Sequence, residues 1–271
     1  GNRVSFSPVK EFAVANGLPV HQPARIKNDE AIHLFESHDA DVAVVVAYGR
    51  ILPERFLQTP RRGCINVHFS LLPLYRGAAP ANWAIVNGET KTGVTTMFIE
   101  PSLDTGPILL QSKTAIGNVE TAPELMERLS EIGAELLGET LSRLDELTPT
   151  PQHDRDATFA PILKKEDGLI DWSRNAIEID RCVRGFQPWP NAYTTFRSRG
   201  LTIWRAELVT SDVHATAGVV IVAHGDDLIV SCGNETALRL LEVQPEARKR
   251  IGVRDFINGL HIKAGDRFGK A

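Results

Sequence analysis

The sequence predicts an α/β layer built on a largely parallel sheet, followed by a smaller all-β region. Three observations carry this expectation. Apolar runs of strand length alternate with helical patterns from residue 7 to about residue 147. A stretch rich in prolines and charges, 149–168, then interrupts the alternation as a linker would. Beyond Ala192 only short β-type runs recur, at the spacing of a small barrel or sandwich.

The elements follow in order. Ser7-Pro8 supplies an N-cap and a first-turn proline for a helix through Asn16, which Gly17 ends. Asn28 opens a second amphipathic helix that reaches about Ser37. The Val-rich run from Asp41 to Tyr48 is short and apolar, as in a strand buried on both faces. Gly63 to His68 reads as a strand, Pro80 to Val86 as a helix, Val94 to Ile99 as a strand and Ile108 to Ile116 as an extended segment. Thr121 and Glu124 form a capping-box pair that opens a long amphipathic helix to Leu147. Asn175 to Arg184 is the last expected helix. Strands are expected at 192–197, 201–208, 218–223, 227–232 and 237–243, with turns at Arg199-Gly200 and His224-Gly225-Asp226-Asp227. An α/β sheet normally starts with a strand, whereas the first element here is a helix, so a first β-α unit is expected to be absent from this chain. The expected domains are residues 1–167, including the linker from about 149, and residues 168–271.

Composition narrows the class. Hydrophobic residues make up 42% and charged residues 24% of the 271 residues, ordinary values for a globular chain able to bury a sizeable core. No apolar run approaches the ~20 residues that span a bilayer, and no secretory signal pattern opens the chain. Cys64, Cys182 and Cys232 lie far apart, an odd and sparse set that predicts a reduced, cytoplasmic setting. The net charge of −4 gives no general affinity for nucleic acid, and only the C-terminal part is slightly basic. No GxGxxG or phosphate-loop pattern is present.

Chemistry concentrates between residues 66 and 107. Asn66 and His68 lie two apart on a predicted strand, so both side chains point to one face. The loop beyond them, Ser70-Leu71-Leu72-Pro73 and then Arg76-Gly77-Ala78-Ala79-Pro80, occupies the strand end where open α/β sheets place ligands. Asp104 follows the 94–99 strand inside Leu103-Asp104-Thr105-Gly106-Pro107, whose glycine and proline suit a tight turn close to a ligand. Neighbouring strands would bring Asp104 to the Asn66/His68 pair. His68 is the only histidine among these motifs, a poor ligand set for a metal, and no metal is expected. The set suits direct acyl transfer instead. Asn66 and His68 can donate hydrogen bonds to a tetrahedral oxyanion, and Asp104 can orient His68 and help move a proton. Each residue also has a plainer use: a strand Asn in a turn or ladder, a His in a core, an Asp as a cap.

The run from Asn66 to Pro80 closely resembles the signature of folate-dependent formyltransferases, and Leu103 to Leu109 resembles their second signature. The resemblance implies a Rossmann-like formyltransferase domain followed by an OB-like β-barrel. It implies a catalytic trio of Asn66, His68 and Asp104, with 10-formyltetrahydrofolate as formyl donor. Ser70, Leu71, Leu72 and Pro73 match the tetrahydrofolate-binding loop, and Tyr48-Gly49-Arg50-Ile51-Leu52 resembles the segment lining the pteridine pocket. Ser7 to Lys10, Arg184 to Thr194 and Ala237 to Glu246 are similar to members of the family that act on initiator methionyl-tRNA. Candidate tRNA contacts are Arg3, Arg76, Arg248, Lys249 and Arg250, with the 248–250 triplet the best placed as a basic patch. A monomer is expected. Alternatives that share the trio or the scaffold are a sugar-nucleotide formyltransferase and a non-catalytic RNA-binding module.

Overall fold

The computed structural model describes residues 6–210 and 215–269. These form two compact units: residues 6–43 with 50–64, and residues 44–49 with the rest from 65 onward.

The first unit carries α1 (Pro8–Ala15), α2 (Asp29–Glu36) and, after the crossing segment, α3 (Glu54–Gln58). The expected caps are in place: Ser7 accepts from the Lys10 amide, and Asn28 accepts from the Ala31 amide. Ile26, Ala31, Ile32 and Phe56 form a small core here, with Phe35 and Leu52 packed on it. The sequence reading missed α3, a five-residue helix too short to show a period.

The second unit begins with an α/β layer. Its strands are β1 (Ala43–Val46), β2 (Cys64–His68), β4 (Lys91–Phe98) and β5 (Ile108–Ala115), in the order β1-β2-β4-β5. Between β2 and β4 come a two-residue strand, β3 (Arg76–Gly77), and α4 (Pro80–Val86). The expectation of a largely parallel sheet needs correction, because β2 pairs with β4 and β4 with β5 antiparallel. The 99–107 connection holds no helix and is shorter than the dozen or so residues of a crossover, so its two strands must run antiparallel. The strand at 41–48 is not buried on both faces. β1 is at the edge of the described sheet, and Val44 and Val46 are 40% and 52% exposed.

α5 (Ala122–Ser142) covers this sheet with the stripe Leu125, Leu129 and Leu136, all buried in one cluster with Val67, Val94 and Ile85. The Thr121/Glu124 capping box forms as expected. The helix ends at Ser142, earlier than expected, because Arg143 leaves helical geometry at φ −112° and its carbonyl closes a turn with Glu146 and Leu147. The following segment is no free linker. Thr150 exchanges both backbone hydrogen bonds with Ile108, and β6 (Phe159–Ala160) pairs in parallel with β3.

α6 (Ala176–Gly185) precedes six further strands: β7 (Ala192–Phe196), β8 (Arg199–Val209), β9 (Val220–His224), β10 (Asp227–Ser231), β11 (Ala237–Pro245) and β12 (Ile251–Gly252). A last helix, α7 (Val253–Leu260), buries Val253, Phe256 and Ile257. The sheet order is β7-β8-β11-β10-β9, with β12 on β11. The expected barrel is therefore not found as a closed sheet. Residues 265–269 touch both edges through single bridges, Val219 to Arg267 and Phe196 to Phe268, but Gly265 and Gly269 at φ +90° and +85° keep this stretch from continuing as a strand. The β7–β8 turn lies at Arg197-Ser198 rather than Arg199-Gly200. Both turn residues have positive φ, a tight-hairpin requirement usually met by Asn or Gly and so not signalled here. Among the described residues no helix is long and apolar enough to cross a membrane.

Gly106 anchors the β4–β5 connection. A Cβ there would stand 1.8 Å from the Phe98 carbonyl oxygen, so the sequence places glycine there for backbone packing and not for ligand approach. Gly106→Ala is expected to lower stability by about 1–3 kcal/mol in urea unfolding; an unchanged midpoint would contradict this packing.

Candidate active site

His68 ends β2, and its Cα partner across the ladder is Thr95 of β4. Asn66 shares its face, opposite Met97. His68 is 6% exposed. Its Nε2 lies 2.9 Å from the Tyr75 carbonyl oxygen. A carbonyl only accepts, so Nε2 carries the proton and the neutral ring presents the Nδ1 lone pair. Nδ1 stands 3.7 Å from Asp104 Oδ2. Burial holds the His68 imidazole below the usual histidine range, although the Asp104 carboxylate and the Tyr75 carbonyl both favour its protonated form. The ground state is thus a neutral base with an anion waiting beside it. A proton delivered to Nδ1 would make an imidazolium that Asp104 stabilises.

Asp104 is presented by the turn after β4 in a left-handed conformation, φ +52°. The Gly77 amide donates to its Oδ2 at 2.8 Å. Gly77 itself requires glycine: its φ is +131°, and a Cβ would fall 2.3 Å from the Ala160 carbonyl oxygen. The structure therefore gathers His68 and Asp104 as expected. Asn66, on the same face, is half-buried, and its side chain makes no hydrogen bond among the described residues. That leaves its amide to a substrate.

The 70–73 loop is rigid from behind. Thr95 Oγ1 donates to the Ser70 carbonyl at 2.6 Å and accepts from the Leu72 amide at 3.2 Å. Gln111 Nε2 donates to the Leu72 carbonyl at 2.9 Å, and Ser70 Oγ donates to the Leu74 carbonyl. Ser70 and Leu72 are buried, while Leu71 and Pro73 are half-buried. Of the other expected donor-site residues, Tyr48 and Ile51 are exposed, Arg50 lies at the surface and Gly49 has φ +71°. Leu52 packs in the first unit's core.

Tyr75 is pinned at three points. Its amide donates to Thr158 Oγ1, its hydroxyl donates to Glu89 Oε1 at 2.8 Å, and its carbonyl takes the His68 proton. Burial pushes its phenol up to about 12, which keeps the hydroxyl a donor. Thr95, Gln111, Tyr75 and Gln152 were not singled out from sequence. Thr95, Gln111 and Gln152 lie outside the two signatures and act through partners distant in the chain, while Tyr75 lies within the first signature but carries no separate signal there.

The expected tRNA contacts divide. Arg76 is corrected: it is 3% exposed, and its guanidinium is held by Gln152 Oε1 and Asp154 Oδ1. Arg3 lies outside the described residues. Arg250 lies 4.9 Å from the Trp204 ring centre and pairs with Glu242. Arg248 and Lys249 are exposed on the turn before β12 and make no ion pair among the described residues. Trp189 is 53% exposed.

A buried imidazole with a free Nδ1, a carboxylate beside it and an unpartnered amide on the same face have the donors and acceptors that acyl transfer requires. The chain belongs to the formyl transferase family, matching its formyl transferase domain over residues 2–141 and its C-terminal domain over residues 162–261. It is 48% identical to the methionyl-tRNA formyltransferase of Caldanaerobacter subterraneus subsp. tengcongensis, over 98% of this chain and 86% of that protein. It is also 48% identical to that of Koribacter versatilis, over 100% of this chain and 86% of the relative. Among solved structures, HypX from Aquifex aeolicus in complex with tetrahydrofolic acid shares the fold at TM-score 0.64 and 16% identity, covering 83% of this chain and 40% of that one. An N-formyltransferase from Helicobacter canadensis, with folinic acid and dTDP-3-aminofucose, aligns at TM-score 0.65 and 18% identity over 87% and 81% of the two chains.

In a nitrogen-15 NMR titration, His68 is expected to lose its proton below about pH 6.5 and to show the Nε2–H tautomer when neutral. Asp104→Asn removes the charge that favours the imidazolium, so the midpoint should fall further. A midpoint that rises in this variant would contradict the geometry.

Proposed function

We propose that the protein transfers a formyl group from 10-formyltetrahydrofolate to the amino group of initiator methionyl-tRNA, supporting the start of translation. The observation that carries the reaction is the buried His68–Asp104 pair on the face that also bears Asn66. The acceptor rests on likeness along essentially the whole chain to methionyl-tRNA formyltransferases, far above the identity to the sugar-acting enzyme. A charged-tRNA acceptor places the work in the cytoplasm.

The residues suggest an order of events. The methionyl amine attacks the formyl carbon, and a tetrahedral centre forms as the new N–C bond is made. The Asn66 amide donates to its oxyanion. His68 Nδ1, not Nε2, is free to take the amine proton, and Asp104 stabilises the resulting imidazolium. The C–N10 bond then breaks, and the His68 imidazolium gives its Nδ1 proton to N10 as tetrahydrofolate leaves, which restores the neutral ring. The donor lies along the 70–73 loop, where the buried polar groups are already satisfied, so contact falls to Leu71 and Pro73. Tyr48, exposed in the same unit as this loop, adds an aromatic contact.

We further infer that residues 1–167 carry the chemistry and residues 168–271 hold the tRNA, with Arg248 and Lys249 meeting phosphates. Their exposure and lack of ion-pair partners support this.

The purified enzyme is expected to formylate methionyl-tRNA from 10-formyltetrahydrofolate. His68→Ala is expected to lower kcat by about 10²- to 10⁴-fold with unfolding unchanged. Formylation of an amino-sugar nucleotide in place of methionyl-tRNA, or near-normal turnover by the variant, would overturn this reading. Replacing Arg248 and Lys249 by Ala should raise KM for tRNA and lower the slope of log affinity against log salt by about 2; an unchanged slope would remove these residues from the interface.

A further inference from the structure

Gln152 lies in the segment after α5 that reads as linker, yet its side chain reaches the turn carrying Asp104. Its Nε2 donates to the Asp104 carbonyl at 2.9 Å and to the Gly106 carbonyl at 2.7 Å. Its Oε1 accepts from Arg76 Nε at 3.0 Å. Both amide protons and the acceptor are thus committed. The two carbonyls bracket Thr105, so one planar amide fixes their spacing and with it the direction of the Asp104 side chain. That hold is needed, because Asp104 sits at φ +52°, a left-handed conformation that is strained for an L residue. On the other side the same amide accepts from Arg76, the residue before Gly77, and the Gly77 N–H holds the Asp104 carboxylate. Arg76 is in turn bound to Asp154, two residues beyond Gln152.

We propose that Gln152 is a positioning residue for formyl transfer: it sets the Asp104 carboxylate against His68, and through it the segment between the two family domains becomes part of the catalytic apparatus. This rests on Asp104 belonging to the catalytic trio. Gln152 touches no reacting atom and acts only through Asp104 and Gly106. A carboxylate displaced by even 1 Å would no longer meet the imidazolium when it forms, a loss felt in the chemical step and not in the binding of either substrate.

Two variants and one background test this. Gln152→Ala removes all three bonds. Gln152→Glu keeps an acceptor for Arg76 but turns a carboxylate toward the two carbonyls, which separates support of Asp104 from support of buried Arg76. Both are expected to lower the single-turnover rate by about 10- to 100-fold, with KM for donor and tRNA changed by less than about 3-fold. In an Asp104→Ala background, Gln152→Glu should cost less than about 3-fold more, because the group it positions is gone. A normal rate for Gln152→Glu, or an equal loss with and without Asp104, would overturn the proposal while leaving the trio intact. A normal rate for Asp104→Ala alone would overturn the trio instead, and the two failures are told apart by that single variant.

Discussion

Much of the structure around the site depends on one hydrogen bond, the Gly77 amide to Asp104 Oδ2 at 2.8 Å. It joins the segment after β2, where Gly77 ends the two-residue β3, to the turn after β4, which has no regular structure of its own to hold it. Around it, each neighbour constrains the next. Gly77 adopts φ +131° against the Ala160 carbonyl, Asp104 adopts φ +52° under the amide of Gln152, and Arg76 is buried between Gln152 and Asp154. Left-handed residues and a buried guanidinium are each costly in isolation. They persist here because almost every polar group finds a partner in the opposite loop. The strain is therefore spent on placing one carboxylate.

The same economy fixes the imidazole. Tyr75 gives its amide proton to Thr158, its hydroxyl proton to Glu89 and its carbonyl to His68, so the ring has one available tautomer. Burial makes that ring a weak base at rest, and the nearby carboxylate favours its charged form. The two influences oppose each other, which suits the proton transfer proposed for this ring. The loop at 70–73 is held in a comparable way by Thr95 and Gln111, whose side chains satisfy its backbone before any ligand arrives. Preorganised donors and acceptors of this kind stabilise a transition state without reorganising at the moment of reaction.

The C-terminal region follows a different logic. Its large core, built from Leu228, Val230, Leu238, Leu240, Phe256 and Phe268 among others, packs with an open six-stranded sheet, and several of its arginines are paired with acidic neighbours. Arg197 and Arg239 are spent on local acidic partners, and Arg250 is shared between Trp204 and Glu242. Arg248 and Lys249 make no ion pair among the described residues, and the carboxylate of Glu246 on the same turn accepts from the Gly200 amide instead.

By itself, the sequence determined the alternation of strands and helices, the caps of α1, α2 and α5, and the placement of Asn66 and His68 on one face, because period, capping and parity are local properties of the chain. It also carried the motif around Asp104. Tertiary structure alone decided the rest. The antiparallel turn of β4 and β5, the open edge of the C-terminal sheet and the exposed β1 depend on pairings between distant residues. Arg76 read as a surface cation, yet the 150–160 segment buries it. Gln152 looked like part of a linker, and Tyr75 like part of a loop. Gln152 bonds to residues 46 to 76 positions away, and Tyr75 is held by Thr158, 83 positions away, so no local pattern in the chain encodes these partners.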